Sequence, residues 1–151
     1  MKQRLNFQEK GQDALKTLYS IGNYLKKSGI EQTLRELIYF RVSQINHCAY
    51  CLDMHYKDAR SRGETEQRLY GLSAWRETNY YTSRERAAFA WAEAITACNE
   101  VPDALYQEAK EQFSDKELID LTMAVTTINT WNRINLAFPK EAGTYLVGQF
   151  G

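Results

Sequence analysis

The sequence predicts an all-α protein, and three observations predict it. Apolar side chains recur at intervals of three and four residues from Leu15 to Trp131. Two capping boxes, Thr82-Ser83-Arg84-Glu85 and Ser114-Asp115-Lys116-Glu117, mark helix starts. No segment alternates apolar and polar residues as a half-buried strand does.

The spacing gives six to seven helices. Leu15, Leu18, Tyr19, Gly22 and Leu25 define the first, stopped by Lys26-Lys27-Ser28-Gly29. Leu34, Leu37, Ile38, Val42 and Ile45 define the second. Asn46 is placed to cap a third, ending near Gly63. Thr65 to Trp75 is a short fourth, and the first capping box opens a fifth through Ala97. Pro102, at a first helical position, opens a sixth. The second box opens a long segment towards Phe138, ended by Pro139 and Gly143. Its β-branched run Val125-Thr126-Thr127-Ile128 is strand-like in composition. The spacing of Leu118, Leu121, Val125, Ile128 and Trp131 decides for helix.

At 151 residues the chain suffices for one domain with its own core, read as residues 1–151. It has no linker, repeat or low-complexity run. Nineteen basic residues balance nineteen acidic ones, against a nucleic-acid partner, which demands surplus positive charge. No apolar stretch is long enough to span a membrane, and Met1–Gln8 lacks the apolar core of a signal peptide. A cytoplasmic location follows. In that reducing compartment a close cysteine pair points to catalysis or metal binding.

The chemistry concentrates in Glu36 and in His47-Cys48-Ala49-Tyr50-Cys51-Leu52-Asp53-Met54-His55. On a helix, Cys48, Cys51 and His55 share an arc of roughly 60°. Cys51 and His55, four apart, can meet, and the imidazole can take the thiol proton. Cys48 sits near the helix start, where free backbone N–H groups also favour a thiolate. These arguments leave open which thiol is the more reactive. If the chain reverses at residues 43–46, Glu36 comes level with the 50–55 stretch and can orient His55. A solvated charge beside Glu31 and Arg35 is the plainer reading of Glu36. One thiolate would then attack an electrophilic oxygen or sulfur, and the second would close a disulfide for an external dithiol to reduce.

These residues resemble the alkylhydroperoxidase AhpD-like family of the carboxymuconolactone decarboxylase superfamily. The shared pattern is a glutamate, eleven residues, then Cys-x-x-Cys-x-x-x-His, matched by Glu36, Cys48, Cys51 and His55. The likeness runs on through Tyr56–Thr65, Thr82–Thr96 and Ile128–Arg133. It implies an all-α fold assembled as trimers or hexamers, with no cofactor or metal of its own. It implies reduction of hydroperoxides, with a lipoyl-type or thioredoxin-like dithiol as reductant. Carried over by position, Cys51 attacks the peroxide, Cys48 resolves it, and Glu36 and His55 relay the proton. One position departs: where family members carry a second histidine before the second cysteine, this chain has Tyr50. Tyrosine donates a hydrogen bond but accepts protons poorly near neutrality. Tyr50 is a candidate substrate contact.

Rival readings keep the same residues. A lyase on this fold would not require two thiols. A redox sensor would switch assembly or a partner without turnover. A zinc site completed by His47 or His55 lacks a second cysteine pair. His47 fits a capping or surface role, and Cys98 fits buried filler. Asn129, Asn132 and Asn135 demand partners inside a helix, across helices or subunits.

Overall fold

A computed structural model describes residues 4–150. Residues 1–3, the start of the stretch read above for a leader, and Gly151 lie outside the described residues. Within it, every regular element is helical: α1 (Phe7–Lys10), α2 (Gln12–Leu25), α3 (Gln32–Ile45), α4 (Ala49–Ser61), α5 (Glu66–Gly71), a 3-10 segment (Leu72–Glu77), α6 (Ser83–Ala97), α7 (Asp103–Gln112) and α8 (Asp115–Ala137).

The architecture is built around α3, which packs against α4, α6 and α8. Leu37, Ile38 and Val42 of α3 meet Ala88 and Phe89 of α6 and Leu121 and Val125 of α8 in the core. Each such aliphatic side chain, fully buried, stabilises the fold by about 1.5–3 kcal/mol. Trp75 and Tyr81 stack their edges on Phe89, at 5.7 and 5.1 Å between centroids. A helix enclosed on so many sides buries polar residues too, and Arg35, Glu36 and Ser43 are buried on α3. Arg35 is satisfied locally: it donates to the carbonyls of Leu25 (2.6 Å) and Ile30 (3.2 Å), tying the α2–α3 loop.

Both predicted capping boxes form. The described residues form eight α-helices, the six to seven expected together with the single turn Phe7–Lys10, too short for a periodicity to reveal. Four expectations need correction. The Thr65–Trp75 segment is not one helix: it tightens to 3-10 after Gly71, and Ala74 leaves helical geometry (φ −119°, ψ 31°). There the ring of Tyr80 lies so close that a Cβ on Gly71 would sit 3.1 Å from it. Asn46 does not cap α4. It ends α3, and its side chain donates to Asn129 and Asn132 of α8, at 2.9 Å each. Pro102 stands one position earlier than predicted, as the residue preceding α7. Cys98 is not buried filler either. It is exposed, in the left-handed conformation (φ 57°) that closes α6.

Candidate active site

The site is made where α3 reverses into α4. Three residues, 46–48, connect the helices. His47 makes the turn with a left-handed backbone (φ 55°), which histidine tolerates better than most residues, and it is exposed. Cys48 follows as the residue before α4, in extended conformation, its N–H donating to the Ser43 carbonyl at 3.1 Å. A short connection forces α3 and α4 antiparallel, and that places Glu36 opposite His55.

His55 Nδ1 and Glu36 Oε2 are 2.9 Å apart. Both side chains are buried, at 6% and 7% exposure, so the solvated-charge reading of Glu36 fails. With Glu36 ionised, Nδ1 carries the proton and donates, which leaves a lone pair on Nε2. Nε2 is buried and has no partner among the described residues. The ring packs against Tyr39, 5.0 Å between centroids. Burial holds the Tyr39 phenol well above its ordinary range, so that neighbour stays neutral.

One turn before His55 on α4, Cys51 is bonded to Cys48, with 5.3 Å between their Cα atoms. Both cysteines are almost wholly buried. Asn135 of α8 donates to the Cys51 sulfur at 3.5 Å and to the Trp131 carbonyl at 3.0 Å. Its Oδ1 is the other buried polar side-chain atom without a partner among the described residues.

Beside this cluster lies a cavity of about 230 Å³, lined by Glu36, Tyr50, His55 and Asn135 among others. The cysteines themselves do not line it, whereas Asn135, which does, also contacts the Cys51 sulfur. Tyr50 is buried, and desolvation together with the nearby Asp53 charge pushes its phenol above the ordinary value. It therefore acts as a hydrogen-bond donor at neutral pH.

A second carboxylate stands near the first. Glu36, His55 and Asp58 each offer one ligand atom within 4.8 Å of the others. These atoms are already engaged: Glu36 with His55, and both Asp58 oxygens with the Tyr145 hydroxyl at 2.8 and 2.9 Å. A cation would have to displace those protons. Burial raises the Asp58 carboxyl above its ordinary range, against the pull of the Tyr145 hydrogen bond. Lys57 donates to the carbonyls of Gly143 and Tyr145, at 3.1 and 3.0 Å, and fixes the C-terminal segment over α4.

Residues 12–94 match the profile of the carboxymuconolactone decarboxylase family, more than half of the chain. The chain belongs to that family. Among its relatives, protein YdfG of Bacillus subtilis (strain 168) is 42% identical over 146 residues, 95% of this chain and 99% of YdfG. The crystal structure of ATU0492 from Agrobacterium tumefaciens superposes with a TM-score of 0.90 at 38% identity, covering 95% of this chain and all of that one. ATU0492 is a protein of unknown function, provisionally assigned to antioxidant defence as AhpD. The debrominase Bmp8, in complex with 2,3,4-tribromopyrrole, superposes with a TM-score of 0.81 at 17% identity, over 91% of this chain and 74% of its own. That likeness is one of fold alone. The AhpD-like fold expected from the motif is thus the fold of this family member, and the fold hosts more than one chemistry.

Of the residues singled out in the sequence, Glu36, His55, Cys48, Cys51 and Tyr50 converge here, and His47 does not. Asn129 and Asn132 bond across helices as expected, to Thr96 and Ser43 at 3.0 Å each. Asn135 instead reaches the sulfur, which its spacing from those two did not distinguish. Asp58 was detectable as the residue one turn beyond His55. Tyr145 carried no signal in the sequence.

Proposed function

We propose that this protein is a thiol-dependent peroxidase and disulfide oxidoreductase working through Cys48 and Cys51. The observation that carries the reading is the buried Glu36–His55 pair at 2.9 Å, with His55 one turn beyond Cys51 on α4 and Cys51 bonded to Cys48. In the reduced protein, His55 Nε2 takes the Cys51 proton. The Cys51 thiolate attacks the distal oxygen of a hydroperoxide, the O–O bond breaks, and Cys51 becomes a sulfenic acid. The proton held on His55 passes to the departing alkoxide, giving an alcohol. The Cys48 thiol then attacks the Cys51 sulfur, forming the Cys48–Cys51 disulfide and releasing water. An external dithiol, lipoyl-type or thioredoxin-like, attacks the disulfide and restores both thiols as it is itself oxidised.

Each neighbour has a role in this scheme. Glu36 holds the imidazole in the tautomer that leaves Nε2 free and stabilises the imidazolium formed next. Asn135 donates to the Cys51 sulfur, which favours its thiolate. Tyr50 donates to the bound substrate. No metal or organic cofactor enters the cycle. Among the described residues no helix is long and apolar enough to cross a membrane. A cytoplasmic trimer or hexamer is the expected working form.

The test is peroxide consumption by the reduced protein with excess dihydrolipoamide. Wild type turns over; Cys48→Ser and Cys51→Ser do not. Full turnover by Cys51→Ser would sink the proposal, and activity of any kind that survives loss of both thiols would favour a lyase.

A further inference from the structure

Four basic residues line the cavity, Lys26, Arg35, Arg62 and Lys140; the scheme above uses none of them, and Lys140 is set among three aromatic rings. Lys140 follows Pro139, just beyond α8, and is half-buried in the cavity wall. Its Nζ lies 5.0, 5.2 and 5.3 Å from the ring centroids of Phe7, Tyr50 and Phe150. Among the described residues no carboxylate pairs with it. The two carboxylates that line the same cavity are occupied, Glu36 by His55 and Asp58 by Tyr145. Partial burial of an ammonium without an anion is unfavourable, and aromatic faces compensate it only in part. Desolvation alone pulls this amine below its ordinary range, the mark of a charge without a counter-ion. Leu18, Tyr19, Met54, Ile128 and Trp131 give the same cavity an apolar and aromatic wall, beside polar residues such as Gln8, Asn23 and Gln32.

From this arrangement we infer that Lys140 is the anchor for the carboxylate of an organic-acid substrate whose apolar body fills the cavity. Three rings around the ammonium leave few N–H directions open, which suits a singly charged carboxylate. Tyr50 links the two ends of the site, its ring against Lys140 and its backbone next to Cys51 in the chain. An acid held by Lys140 therefore directs its far end towards His55 and Asn135. The inference rests on the redox reading for what happens at that far end, where the reactive group is a hydroperoxide. Lys140 lies outside residues 12–94, so the family match says nothing of it.

The binding step is testable without any redox chemistry. The probes are 4-isopropylbenzoate and its uncharged amide, titrated calorimetrically into the oxidised protein at low salt. Wild type should bind the acid at least about tenfold more tightly than the amide. Lys140→Gln should lower the affinity for the acid to that for the amide while leaving the amide's affinity unchanged, and Lys140→Arg should retain most of the preference. The exposed Lys27→Gln is the charge control and should bind as wild type does. Equal binding of acid and amide by wild type, no binding of either, or a Lys140→Gln variant that loses both equally would overturn the inference. None of these results touches the peroxide assay, and a failed peroxide assay leaves this titration standing.

Discussion

His55 has one ring nitrogen committed to Glu36 and one without a partner, and that asymmetry defines its chemistry. Removing the carboxylate charge frees the ring to flip and withdraws the stabilisation of the imidazolium. Glu36→Gln should therefore lower the rate of peroxide reduction by about 100-fold, the usual scale of general acid–base catalysis. The pre-steady-state oxidation rate of the reduced protein measures it. Asn135 acts on the sulfur itself. Asn135→Ala removes the side-chain donor to Cys51 and should slow alkylation of reduced Cys51 by iodoacetamide at pH 7 about tenfold, with Cys48→Ser as background. An unchanged alkylation rate would mean that this contact has no role in activating the thiol. At this scale the closeness of Glu36, His55 and the cysteine pair was legible in the sequence, because Cys51 and His55 stand four apart on α4 and Cys48 immediately precedes that helix. Asn135 and Lys140 were not. Their contacts with the site are made in three dimensions, by an α8 that reaches the cysteines from 84 positions away in the chain and a segment that returns after it.

The helices are held at their starts by charges that titrate. Glu117 closes the α8 capping box on Ser114 and also meets Arg84 of α6 at 2.7 Å. The Ser114 backbone N–H, first, and then Arg84 and the Ser114 hydroxyl pull its carboxyl from 4.5 down to about 2. A depressed carboxyl stabilises the fold fully above the unfolded value and loses that contribution as pH falls through the folded one. Glu117→Ala should cost about 1 kcal/mol in urea denaturation at pH 7. That difference should persist unchanged down to about pH 5 and shrink towards pH 2. A difference independent of pH would assign the cost to lost packing alone. Both capping boxes were legible because the motif is local. Asn46 was misread for an instructive reason: a residue between two helices can serve either one, and here two buried asparagines of α8 claim it. Cys98 was misread because composition alone does not reveal a left-handed helix end.

For the molecule as a whole, α3 organises both core and site, so the packing that stabilises the fold also positions Glu36. Several large apolar side chains stay exposed on the described surface, Ile119 at 63% and Leu136 at 49% on α8 and Leu146 at 73% beyond it. Such groups are expected where copies of the chain meet. Light scattering should accordingly give three or six times the 17.5 kDa chain mass, and Ile119→Lys should shift the distribution towards smaller species. A monodisperse monomer at micromolar concentration would contradict the oligomer. The all-α class was legible because helical periodicity survives in every long segment. The C-terminal segment was not, since Tyr145 and Lys140 are placed by contacts with α4 and α1 rather than by any repeat of their own. In the proposed scheme one peroxide oxidises one cysteine pair, which intact-mass spectrometry after a single equivalent of hydroperoxide would read. The reduced wild type should lose 2 Da and both free thiols of the pair, whereas Cys48→Ser should gain 16 Da on Cys51 as a sulfenic acid that dimedone traps. Retention of both thiols in the wild type, or a sulfenic acid on Cys48 with Cys51 untouched, would contradict the account.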